Sequence, residues 1–94
     1  MTPRITAVVF TPSSTRRAAD GLVGWLRIQV DGWLEIDSVT LRRTSRGELQ
    51  LSFPSKVDGV GYRRYVVRPI DPQVRSSIHA QVVEWLRRER GVAS

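Results

Sequence analysis

The sequence predicts an α+β domain, a small antiparallel β-sheet of about five strands followed by a C-terminal α-helix. Three observations carry this. Apolar and polar residues alternate with a period of two in several runs before residue 68. Asp-Gly pairs at Asp20-Gly21, Asp31-Gly32 and Asp58-Gly59 separate those runs, as turns do. After Asp71-Pro72 the pattern changes to a helical one. Strands first and a helix last favour an antiparallel sheet over alternating βα units.

Taken in order, Arg4 to Thr11 is rich in β-branched residues and reads as a first strand, with Ile5, Ala7 and Val9 on one side and Thr6, Val8 and Phe10 on the other. Pro12 to Gly21 has loop chemistry and holds Arg16 and Arg17, both expected to be exposed. Leu22 to Val30 is the clearest strand, with Leu26, Ile28 and Val30 against Trp25, Arg27 and Gln29. Asp31-Gly32 then turns the chain into Trp33-Leu34-Glu35-Ile36. Trp25 and Trp33 flank that turn, off the apolar register, and are expected to pack, on the helix or across a dimer interface, more than to face solvent. At Asp37-Ser38 the apolar phase shifts to Val39 and Leu41, which predicts a bulge or bend. Arg42 to Gly47 reads as a basic turn.

Glu48 to Phe53 alternates again, and Pro54 ends it because proline cannot donate to a ladder. Leu49 to Ile70 reads as one hairpin: this strand, a Pro-Ser-Lys exit, a Gly-containing turn, and a second strand over Tyr62 to Val67. Asp71 is the expected N-cap and Pro72 the first helical residue. Val74, Ile78, Val82, Trp85 and Leu86 fall on one helical stripe. Arg87, Arg88 and Arg90 suit the negative end of the helix dipole, and Gly91 the stop.

A chain of 94 residues is expected to form a single domain over 1–94 with one modest core. It has no cysteine, which removes disulfides, thiol nucleophiles and thiolate metal sites. The one histidine, His79, sits beside the apolar stripe and is expected to be structural. No nucleophile elbow or Gly-rich phosphate loop is present, so the chain is expected not to be an enzyme. No cofactor, metal or small-molecule substrate is expected. The absence of a spanning apolar run and of a signal-like N-terminus predicts a cytoplasmic protein without a membrane partner.

Charge gives the positive signal. The net charge is +6, the isoelectric point is near 11.3, and all but one of the 15 basic residues are arginine. Such a domain attracts polyanions, nucleic acid first. The planar guanidinium pairs with phosphate oxygens in a bidentate way. Candidate phosphate contacts are Arg42, Arg43 and Arg46 in one turn, Lys56, Arg63 and Arg64 around the next, and Arg75 at the helix start. Tyr62 and Tyr65, beside Arg63-Arg64, are the candidates for stacking on bases. The alternatives for this surface are a solvated basic rim, or a homodimeric protein-interaction or structural module whose positive surface meets an acidic protein and not nucleic acid.

The ordered set of motifs resembles the SpoVG family, the bacterial septation and sporulation regulators. The resemblance covers roughly residues 4 to 88 and rests on Ile5-Thr6-Ala7-Val8, Trp33 through Leu41, Leu51-Ser52-Phe53-Pro54-Ser55-Lys56, Asp58-Gly59, Tyr62-Arg63-Arg64 and Arg68-Pro69-Ile70. Phe53 stands where that family usually has Met, Arg68 where it usually has His, and Val74-Arg75 where a Thr-Arg pair begins the helix. The resemblance implies a dimeric α+β domain that binds DNA, sometimes RNA, and acts in gene regulation.

Overall fold

The computed structural model describes residues 2–14, 16 and 20–90. Arg17 and Gly91, for which an exposed loop position and a helix stop are expected, lie outside the described residues. In chain order the described elements are β1 (Ile5–Pro12), β2 (Leu22–Val30), β3 (Leu34–Arg43), β4 (Leu49–Ser52), β5 (Ser55–Val57), β6 (Arg63–Tyr65) and α1 (Pro72–Arg90). The α+β class is the one the sequence predicts. Strands β1 to β4 form an antiparallel meander in spatial order β1-β2-β3-β4, and β5 and β6 form a separate two-stranded ribbon.

The ribbon corrects one expectation. Leu49 to Ile70 is not a single hairpin, because β4 and β6 do not pair. Pro54 stops the β4 ladder for want of an N–H, and the chain starts again at Ser55 as a strand of its own. Ser55 then faces Tyr65, Lys56 faces Arg64 and Val57 faces Arg63. The ribbon projects from the end of β4 as an arm.

One face of the sheet is the core. Along β2, Leu22, Gly24, Leu26, Ile28 and Val30 are buried, and Arg27 and Gln29 are exposed. Val39, Leu41, Leu49, Leu51 and Phe53 extend that apolar face, and α1 covers it with Ile78, Val82, Val83 and Leu86. Asp71 caps the helix as expected, its Oδ1 accepting the N–H of Gln73 at 2.7 Å and of Val74 at 3.4 Å. Two side chains fasten α1 to the start of β1. Gln81 accepts the Ile5 N–H at 2.8 Å and donates to the Pro3 carbonyl at 2.9 Å. Trp85 donates its indole N–H to the Ile5 carbonyl at 3.3 Å.

Two irregularities decide which residues face the helix. The β1–β2 register shifts between Ile5 and Ala7. Ile5 therefore joins Val8 and Phe10 on the core side, and not Ala7 and Val9 as simple alternation suggests. The β2–β3 register shifts between Leu26↔Val39 and Ile28↔Ile36. This is the bulge expected at Asp37-Ser38, and Ser38 adopts φ 61 there. At the β2–β3 turn both Asp31 (φ 55) and Gly32 (φ 78) have positive φ, the conformation that Asp-Gly favours. Trp33, at that turn, is 80% exposed and does not pack on the helix.

Among the described residues no helix covers the second face of the sheet. Register places Thr11, Trp25, Thr40 and Ser52 side by side across it, with Trp25 half-buried. No helix among the described residues is long and apolar enough to cross a membrane.

Candidate nucleic-acid interface

A cleft of about 480 Å³ lies in the elbow between the second face of the sheet and the arm. Strand β3 supplies Ser38, Thr40 and Arg42, and β4 supplies Ser52. Phe53 and Pro54 form the elbow, and the arm adds Ser55, Arg63 and Tyr65. Each cleft residue is there for a local reason. Beyond the bulge Val39 and Leu41 point into the core, so Thr40 and Arg42 must point out. The bulge itself turns Ser38 toward the cleft, a common use of such irregularities beside sites. On β6 the same period puts Arg63 and Tyr65 on one face and Arg64 on the other.

The arm's inner face is held in place. Arg63 donates to the Ser55 hydroxyl at 2.7 Å. The Val66 N–H donates to the Pro54 carbonyl at 2.9 Å, which ties the end of β6 back to the elbow. The Arg68 guanidinium lies 4.8 Å from the centroid of the Tyr65 ring, a cation–π contact. Two guanidinium groups, four hydroxyls and a phenol therefore line the cleft, and no carboxylate of the described residues does. Guanidinium groups and hydroxyl donors without a competing acid suit an anion with several oxygens, such as a phosphodiester.

Of the nine candidates read from the sequence, Arg42, Arg63 and Tyr65 meet in this cleft. The others do not. Arg43 leaves β3 on the opposite face from Arg42 and donates to the Gly47 carbonyl at 2.8 Å. Arg46 is exposed in the turn beyond it. Arg42 to Gly47 is thus not one basic turn: the first two arginines belong to a strand, whose alternation separates them.

Arg64 and Lys56 are cross-strand neighbours on the outer face of the arm. Arg64 Nε lies 2.8 Å from Asp58 Oδ2. Asp58 Oδ1 also accepts the N–H groups of Val60 and Tyr62, each at 3.0 Å, which closes the arm's turn. The Arg64 guanidinium first, and these N–H groups next, hold the Asp58 carboxyl below the usual carboxylate range. Tyr62 is exposed in that turn and does not line the cleft. Arg75 lies on the helix side of the sheet, in a smaller cleft of about 220 Å³ with Gln50, Leu51, Phe53, Ser76 and half-buried His79.

No protein-family model matches this chain, and no curated protein matches it.

Sequence reasoning missed the hydroxyls and Arg68. Thr40 and Ser52 were within reach, since both are outward positions in alternating runs. Ser38 required knowing which way the bulge turns. Arg68, next to Pro69, suggests service to the helix start, but it stacks on Tyr65 instead. Among the described residues no three His, Asp or Glu side chains come together as a metal site would need.

Proposed function

We propose that the protein binds nucleic acid through its phosphate backbone, with Arg42 and Arg63 as the principal contacts, and acts as a cytoplasmic regulator of the SpoVG type. The observation that carries this reading is the convergence of those two arginines with Tyr65 in a cleft that no carboxylate of the described residues lines. The net charge of +6 supports it by drawing polyanions to the surface. The reading is of a binding module. Backbone contacts fix position without reading sequence, so specificity is modest. Self-association belongs to the same proposal. Val57, Val60, Val66 and Ile70 stand exposed on and beyond the arm, and a second copy would cover them.

The test is a salt titration of binding to a mixed-sequence oligonucleotide, followed by fluorescence anisotropy. Affinity falls steeply as salt rises. Replacing Arg42 and Arg63 together with Ala reduces the slope of log affinity against log salt by about 1.4 to 1.8, the release expected for two phosphates. The Arg46→Ala variant, which removes an exposed charge outside the cleft, shows a smaller loss. Affinity that does not change with salt, or a double variant that binds like the parent protein, would refute the assignment.

A further inference from the structure

We infer that the elbow cleft takes a single nucleotide unit of an unpaired strand, so that the protein prefers single-stranded nucleic acid to duplex. The inference rests on the nucleic-acid reading above and narrows it to one class of ligand.

The first argument is the ring inside the cleft. Tyr65 lines it beside Arg63 and Arg42, is 42% exposed, and has Arg68 stacked at 4.8 Å. A base that reaches this ring adds to a stack already begun by a cation. In a duplex the base faces are covered by their neighbours, and stacking on a protein ring requires an unpaired or extruded base. Single-strand binders combine cations that follow the backbone with aromatic rings that take bases. Here both lie within one cleft.

The second argument is shape. A volume of about 480 Å³ falls in the range of small-ligand sites and suits one nucleotide. Duplex DNA is read by a helix or β-ribbon laid into its major groove. The arm is a ribbon, but each strand is three residues long, and its outward Arg64 is paired with Asp58. The stronger cation arrangement faces inward, toward the elbow.

The third argument is the hydroxyl set. Ser38 and Ser52 each offer a rotatable O–H and acceptor lone pairs, and Thr40, whose hydroxyl donates to the Ser52 carbonyl at 3.4 Å, offers acceptor lone pairs. Such groups satisfy the polar edge of any base. The cleft therefore tolerates sequence variation, as stacking surfaces do.

The experiment compares a labelled 12-nucleotide single strand with the duplex of the same sequence, by fluorescence anisotropy at one fixed salt concentration. The proteins are the full chain, Tyr65→Ala, Tyr65→Phe, and Arg42→Ala/Arg63→Ala, each checked for folding by circular dichroism. The full chain binds the single strand on the order of tenfold more tightly than the duplex. Tyr65→Ala loses about that factor on the single strand only, in line with one lost base stack, and Tyr65→Phe restores it. Equal or tighter duplex binding that depends on Arg42 and Arg63 overturns the single-strand inference and leaves the nucleic-acid reading standing. Single-strand binding that ignores Tyr65 overturns the stacking slot alone. Failure to bind either ligand overturns both.

Discussion

Asp58 joins a turn and a cation with one carboxylate. One oxygen accepts the Val60 and Tyr62 N–H groups and the other holds Arg64. Its folded-state pKa is depressed, so its contribution to holding the arm is present above the unfolded value and is lost as pH falls through the lower, folded one. The Val60 and Tyr62 amide signals in an NMR titration should hold steady through neutral and mildly acidic pH and move only below the ordinary carboxylate range. In Asp58→Ala those amides should exchange faster at every pH, with the sheet amides unchanged. Gly24 is the other residue with a narrow tolerance. A Cβ placed there would lie 2.4 Å from the Thr11 carbonyl oxygen and 2.6 Å from the Phe10 ring. Gly24→Ala should lower stability by about 1–3 kcal/mol, an overpacking cost read from the urea midpoint.

At the scale of elements, the fastening of α1 to β1 rests on side chains that no periodicity reveals. Gln81 is polar on the edge of an apolar stripe, and only the structure shows that it serves the Ile5 N–H and the Pro3 carbonyl together. Gln81→Leu leaves the Ile5 N–H without that acceptor and should cost about 1–3 kcal/mol. Faster hydrogen exchange at Ile5, with the β2–β3 amides still protected, would locate the loss. The long strands, the turn at Asp31-Gly32, the bulge at Asp37-Ser38 and the helix cap were legible because each is local chemistry. The separation of β5–β6 from the sheet was less so. Pro54 announces that a strand ends, but what the next residues pair with depends on distant partners. The same limit applied to the site. Arg42-Arg43 and Arg63-Arg64 look like clusters in a linear sequence, and in strands each pair is divided between two faces.

For the whole molecule, α1 covers one face of the sheet, and no other helix among the described residues covers the second face or the arm. Exposed apolar side chains gather on the arm and just beyond it, where Val60 is 78% and Ile70 89% exposed. Light scattering at tens of micromolar, roughly the range where a working dimer persists, should give twice the chain mass. Val60→Asp/Ile70→Asp should return the monomer mass while leaving the circular dichroism spectrum intact. A monomer in the parent protein would remove self-association from the proposed function and leave the cleft's chemistry untouched.

The bulge at Ser38 makes the core and the cleft depend on the same odd–even count. Before it the even residues Leu34 and Ile36 lie on the helix side, and after it the odd residues Val39 and Leu41 do, which hands Thr40 and Arg42 to the cleft. Deletion of Ser38 takes out the extra residue and leaves Leu34, Ile36, Val39 and Leu41 in one unbroken alternation, whereas deletion of Thr40, beyond the bulge, reverses the count for the rest of β3. Arg42 would then be counted into the core and Leu41 into solvent. Along this strand the protein should tolerate the loss of one residue at the bulge and of none beyond it.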